Sequence, residues 1–197
     1  EDTIVAVVSD HGTELGEHGK LGKSPGNLYN AVTNLVFMLK VPGSGYENHR
    51  VKAFVQDHDY LPTFMNLLGL PYDSQVEGVD LWPLVKGKVD SIRDHIIGGW
   101  GPEAFVRDEQ WSYLANWNTM KHEALFHYPD DPTEQKDVAA DHPQVVQMMR
   151  ERLERFFAEP LPVVSREMLL DEIYLPRMFM MNRYGPSRTE VVRSGER

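Results

Sequence analysis

Apolar residues along this chain follow two patterns. Near the start they come as short unbroken runs. Residues 3–8 (Thr-Ile-Val-Ala-Val-Val) and 34–41 (Asn-Leu-Val-Phe-Met-Leu-Lys-Val) read as strands of a parallel or mixed sheet buried on both faces, the second stopped by Pro42-Gly43. Residues 53–55 suggest a third, shorter strand. Asp59 to Leu68 has helical spacing, with Asp59 as N-cap, Pro62 in the first turn, and Leu61, Phe64, Met65 and Leu68 on one face before Gly69. After about Ser91 the pattern changes to short strand candidates at 92–98, 104–107, 111–116 and 124–128. Gly99, Gly101-Pro102 and Asp108-Glu109 separate them, which predicts a small antiparallel sheet. A helix is expected from Asp141-His142-Pro143 to about Phe157, with Val145, Val146, Met149, Leu153 and Phe156 on its apolar stripe.

These elements predict an α/β fold in three parts. Residues 1–90 form the C-terminal part of an α/β domain with a mixed sheet flanked by helices. Residues 91–160 form a small antiparallel-sheet-plus-helix subdomain. Residues 161–197 form an extended or helical tail, broken at Pro176 and suited to packing on its parent or in a homo-oligomer contact.

Composition narrows the function. Hydrophobic residues are 41% and charged residues 25%, ordinary for a globular protein. A net charge of −10 disfavours nucleic acid or an anionic membrane as a general partner, while leaving room for a local anion site. No apolar run reaches the roughly 18 residues that span a bilayer. With no cysteine, disulfides, thiolate metal sites and cysteine nucleophiles are excluded within these 197 residues. The abrupt start at Glu1-Asp2 before a strand reads as a piece of something longer.

The loop over residues 9–30 holds the candidate chemistry. Asp10 and His11 sit at the expected strand end, where open α/β sheets collect ligands. A carboxylate beside an imidazole suits a divalent cation, and Lys23, thirteen residues past Asp10, supplies positive charge for an anionic substrate. His18 could contact substrate, orient Lys23 or hydrogen-bond the loop; Glu17 reads as holding the loop. Asp57, His58 and Asp59 look like a metal cluster, but Asp59 is accounted for as a helix cap. His122, His127 and His142 are assigned no chemistry. The four tryptophans and the Met-rich tail read as core or interface.

Taken together, Ser9-Asp10-His11-Gly12, Leu15-Gly16-Glu17-His18-Gly19, Lys23, Val41-Pro42-Gly43, Asp59-Tyr60-Leu61-Pro62-Thr63 and Glu77-Gly78-Val79-Asp80-Leu81 resemble the sulfatases of the alkaline phosphatase superfamily. Leu125-Phe126, Asp130-Asp131-Pro132 and Glu134 extend the likeness over residues 3–157. Phosphonate monoester hydrolases and phosphodiesterases are closely related. The resemblance implies an alkaline-phosphatase-like fold and makes Asp10 and His11 ligands of a divalent ion, most often Ca²⁺, with Mg²⁺ or Mn²⁺ as alternatives. It makes Lys23 a contact to the sulfate or phosphoryl oxygens, and therefore catalytic; His18, on the same loop, is kept as a second candidate substrate contact.

It further implies a formylglycine nucleophile made from a Cys or Ser in a Cys/Ser-x-Pro-x-Arg motif, which this sequence lacks. Ser187 in Tyr184-Gly185-Pro186-Ser187-Arg188 matches only from the third motif position onward, and we read it as coincidence. The expectation is therefore the C-terminal portion of a sulfate ester hydrolase, inactive alone. Its alternatives are a phosphonate monoester or phosphodiester hydrolase, a two-zinc phosphatase, or a non-catalytic truncated product.

Overall fold

The computed structural model describes residues 2–23, 26–73, 75–100, 103–116 and 121–158. The expectations for the tail, including its oligomer contacts and Ser187, lie outside the described residues. So do the Gly101-Pro102 turn and the side chain of His122. The chain divides into two compact units. One is Glu1–Gly12 with Asn34–Ile96; the other is Thr13–Thr33 with the described residues from Ile97 onward.

In the first unit, β1 (Val5–Val8) pairs antiparallel with β4 (Phe37–Lys40), in a register that sets Val5 opposite Lys40 and Val8 opposite Phe37. Ser9 closes the end of this ribbon, donating its N–H to the Val36 carbonyl and accepting the Val36 N–H on its hydroxyl at 2.8 Å. Burial on both faces does not hold for β1: Val5, Val7 and Val8 are 46%, 51% and 49% exposed. Val7 and Val8 point to opposite faces of a strand, so neither face is covered by the described residues. Two paired strands present two apolar faces, and here both meet water.

Residues 53–55 are not a strand. The Phe54 carbonyl accepts from the Arg93 guanidinium at 3.4 Å, which puts a side-chain donor where a ladder partner would be. The expected helix is present as a 3-10 turn over Asp57–Asp59 followed by α2 (Tyr60–Leu67), but its buried residues are Pro62 and Thr63. Leu61 and Leu68 are more than half exposed. Polar anchoring explains the rotated face. The Thr63 hydroxyl donates to the Asp59 carbonyl at 2.7 Å and accepts the Leu81 N–H at 2.9 Å, both in buried surroundings.

Asp59 does not cap α2 with its side chain. Its carboxylate turns back, accepting from Gln56 N–H at 2.8 Å and Val79 N–H at 2.9 Å and taking a bidentate grip from Arg93 at 2.5 and 2.7 Å. Ahead of the short α3 (Trp82–Val85), the Asp80 carboxylate accepts the Trp82 N–H at 2.9 Å.

Gly78 makes this arrangement possible. A Cβ there would lie 2.0 Å from the His58 carbonyl oxygen, a backbone atom that no side-chain rotation can move away. Gly78→Ala is expected to destabilise the protein by about 1–3 kcal/mol, the usual cost of overpacking a filled site. Urea denaturation of the variant beside the parent measures it, and an unchanged midpoint would contradict the close approach.

The second unit carries a four-stranded antiparallel sheet in the order β5-β6-β7-β8: β5 (His95–Trp100), β6 (Glu103–Asp108), β7 (Trp111–Asn116) and β8 (Lys121–His127). β5 starts three residues later than the sequence suggests, because Arg93 is committed to Asp59. The Asp108 carboxylate shapes the β6–β7 turn by accepting the Gln110 and Trp111 N–H groups at 2.9 and 2.8 Å, and it also holds Arg152 at 2.6 Å.

Helix α4 (Pro143–Ala158) lies on this sheet. Its Val146, Met149 and Leu153 join Ala104, Val106, Tyr113, Ala115 and Leu125 in the core. The spacing 146, 149, 153 continues to Phe157, which packs against the core. Phe156, about 100° around the helix, is 44% exposed instead of buried. Buried Tyr113 donates to Glu123 at 2.5 Å, and Arg150 holds that carboxylate from the other side. Burial first, then the Glu123 carboxylate, pushes the Tyr113 phenol well above its ordinary range.

Candidate functional site

Asp10 and His11 follow β1 just past Ser9, which closes the ladder. Asp10 Oδ1 accepts the His11 N–H at 2.9 Å, which orients the carboxylate beside the ring. The His11 Nδ1 lies 2.7 Å from the Gly12 carbonyl oxygen. A carbonyl can only accept, so Nδ1 is the donor of this contact, and in the neutral tautomer that makes it the lone pair is on Nε2. A hydrogen bond of this kind orients metal-ligating histidines.

Nε2 faces Asp10 Oδ2 at 3.4 Å, and the Asp10 side chain is 86% exposed. Adjacent ligands of an octahedral ion with bonds of about 2.4 Å would be about 3.4 Å apart. The donor pair therefore fits a divalent cation as part of a ligand set. Among the described residues no group of three or more His, Cys, Asp or Glu forms a metal site.

Lys23 lies one residue beyond β3 (Leu21–Gly22), in the second unit. Its side chain is exposed and its ammonium stands 5.7 Å from the centroid of the Trp100 ring. The chain around it is pinned by short polar contacts. Asn27 Nδ2 donates to the Gly22 carbonyl at 3.2 Å, and Lys20 Nζ donates to the Gly26 carbonyl.

His18 is mostly buried and both ring nitrogens are engaged. Nδ1 is 2.9 Å from Glu14 Oε1, and Nε2 donates to the Glu134 carbonyl at 2.9 Å. The ring stacks on Tyr29 with centroids 3.6 Å apart and planes 5° from parallel. With both nitrogens occupied, His18 is placed to hold the loop. Glu17, which is exposed, accepts the Leu15 N–H at 2.6 Å, and hydrogen bonds from the backbone draw its carboxyl below the usual range.

Three groups that the motifs do not single out for a role are buried at this loop: Glu14, Arg107 and Glu134. Glu134 Oε1 accepts from Arg107 at 2.8 Å and from the Ser112 hydroxyl at 2.5 Å, while Oε2 accepts the Asn30 N–H at 2.5 Å, at the start of α1 (Asn30–Thr33). Arg107 also reaches the Thr33 hydroxyl at 3.2 Å. Burial first, then the nearby Glu134 and Glu14 carboxylates, raises the Tyr29 phenol. Asp57 and His58 lie beside Asp59, but Asp59 is bound to Arg93, so that cluster is an ion-pair site.

Comparison with known proteins decides the lineage. Residues 16–159 match the family described as N-sulphoglucosamine sulphohydrolase, C-terminal. The chain belongs to this family. Among curated relatives, the Delta 4,5-hexuronate-2-O-sulfatase of Bacteroides thetaiotaomicron is 26% identical over 71% of this chain and 31% of its own length. Arylsulfatase K of Rattus norvegicus is 27% identical over 78% of this chain and 29% of its own. The chain thus spans about a third of the length of these relatives. The crystal structure of a phosphonate monoester hydrolase from Agrobacterium radiobacter aligns with a TM-score of 0.67 at 25% identity, covering 80% of this chain and 35% of that one. The fold class is the one the resemblance implied: mixed α/β with a small antiparallel sheet, as in sulfatases of alkaline-phosphatase-like fold. Among the described residues, no helix is long and apolar enough to cross a membrane.

Proposed function

We propose that this chain is the C-terminal portion of an enzyme that hydrolyses sulfate esters, on a sulfated glycan or a small sulfate ester. Asp10 and His11 serve as ligands of a divalent cation, Ca²⁺ in the first instance, and Lys23 contacts the sulfate oxygens. The observation that carries the metal assignment is the geometry of the pair: His11 Nε2 lies 3.4 Å from the exposed Asp10 Oδ2 while Nδ1 is engaged by the Gly12 carbonyl at 2.7 Å. A donor set completed mainly by oxygens elsewhere in the enzyme would favour Ca²⁺, Mg²⁺ or Mn²⁺ over softer ions.

When bound, the ion would offset negative charge on the ester oxygens. Lys23 adds a fixed ammonium where charge grows as the S–O bond to the departing alcohol breaks, and such groups act most strongly where water is excluded. The nucleophile, a formylglycine hydrate by analogy with the family, comes from another part of the enzyme. The relatives named for 2-O-sulfated hexuronate and for aryl sulfates support the substrate class.

A second reading, a phosphonate monoester or phosphodiester hydrolase, is favoured by the likeness to the Agrobacterium enzyme. Steady-state assays of the complete enzyme with an aryl sulfate, an aryl phosphonate and an aryl phosphodiester separate the two. The expected result is highest kcat/KM on the sulfate, abolished by chelator and restored by Ca²⁺. Turnover of the phosphorus esters alone would replace the first reading by the second.

A further inference from the structure

The segment carrying Lys23 has little regular structure of its own. Between residues 14 and 33 it contains the two-residue strands β2 (Glu14–Leu15) and β3, and the single turn α1. Two such strands and one turn cannot fix a conformation by backbone pairing. What fixes it is Glu134, more than a hundred residues away in sequence. Its carboxylate holds the Asn30 N–H and its carbonyl holds His18, so one buried residue grips the segment at two points. Arg107 and Ser112, on adjacent strands, hold the carboxylate in turn, and Pro132 accepts the Asn30 side-chain amide at 3.0 Å. Glu134 adopts φ of 57°, a left-handed conformation costly for a residue with a Cβ, which its carboxylate and carbonyl contacts offset. From Asn30 the path to Lys23 is short: buried Asn27 ties back to the Gly22 carbonyl, and Lys23 follows Gly22.

Resting on the reading of Lys23 above, we infer that Glu134 is a positioning residue for Lys23: from the segment between β8 and α4 it sets the loop that presents the sulfate-contacting ammonium. Glu134 faces Arg107, Ser112 and Asn30 with its carboxylate, so it acts through the loop and not on substrate. Misplacing a charge-stabilising group by about 1 Å costs up to about a hundredfold in rate.

The test is a double-mutant cycle in the complete enzyme with Glu134→Gln, Lys23→Ala and the pair. Leu153→Ala serves as a control that loosens the same unit away from the loop. The expected result is that Glu134→Gln lowers kcat by about ten- to a hundredfold, more than Leu153→Ala does, and has no further effect once Lys23 is gone. Amide hydrogen exchange across residues 14–33 should quicken in Glu134→Gln and not in Leu153→Ala. Should Glu134→Gln fail to fold, Ser112→Ala, which removes one carboxylate partner, takes its place in the same cycle. Additive effects of the two substitutions, or unchanged loop exchange, would overturn the inference. Full activity of Lys23→Ala alone would instead overturn the reading of Lys23, and is seen before the cycle is closed.

Discussion

Lys23→Ala in the complete enzyme is expected to lower kcat/KM on an aryl sulfate by about 10²–10³-fold, the usual cost of deleting one preorganised group that meets developing charge. The loss should fall mainly on kcat if the ammonium gains strength as negative charge builds on the ester oxygens, because contacts equal in ground and transition states act on KM. Lys23 is exposed and stands over the face of Trp100, so its removal should leave folding intact. Lys23→Arg should recover only part of the rate, since a planar guanidinium cannot reproduce a compact ammonium. Initial-rate kinetics with a thermal melt of each variant measure this. A Lys23→Ala enzyme within threefold of the parent, on the scale set by such deletions, would remove Lys23 from the chemistry.

Arg93→Met is expected to be the most damaging single substitution for stability. Asp59 is fully buried, and Arg93 holds both of its oxygens. Removing one partner of such a pair leaves a buried charge uncompensated, at a cost of about 3–5 kcal/mol. Burial pushes the Asp59 carboxyl up, but the Arg93 guanidinium and the N–H groups of Val79 and Gln56 outweigh it, so the folded pKa lies below the ordinary value. A carboxyl lowered on folding contributes stability that is fully present above its unfolded pKa of about 3.9. That contribution is lost as pH falls through the lower folded value. The penalty of Arg93→Met should therefore be largest near neutral pH and shrink as pH falls, because without its guanidinium the buried Asp59 carboxyl takes up a proton at higher pH than it does in the parent. Denaturation midpoints of parent and variant across that range measure it, and a gap independent of pH would mean that Asp59 is not the charge Arg93 serves.

Where sequence reading succeeded and where it failed follows from the range of the forces involved. The strand over Trp111–Asn116 was legible because turn signals such as Asp108-Glu109 bound the short strand candidates, and the helix from Pro143 because a 3.6-residue pattern records which face is buried. Residues 53–55 and the start of β5 were misread because both depend on Arg93, whose partner Asp59 lies 34 positions away. Asp59 itself looked like a cap because the cap pattern is local, whereas its guanidinium partner is not. Asp10, His11 and Lys23 stood out through their order along one loop. Glu134 stood out only as part of the family likeness, with no role attached, and nothing in its spacing announces Arg107, Ser112 and Asn30. A buried polar hub leaves little periodic trace, since its identity is written in residues scattered across three elements and the loops between them.

The valines of β1 have a practical consequence. Made as an isolated 197-residue polypeptide, the chain would place a β-branched ribbon, apolar on both sides, in direct contact with water. Ribbons of that kind adhere to one another edge to edge and face to face. Preparations should therefore turn cloudy with rising concentration, and light scattering should fall when Val7 is exchanged for lysine.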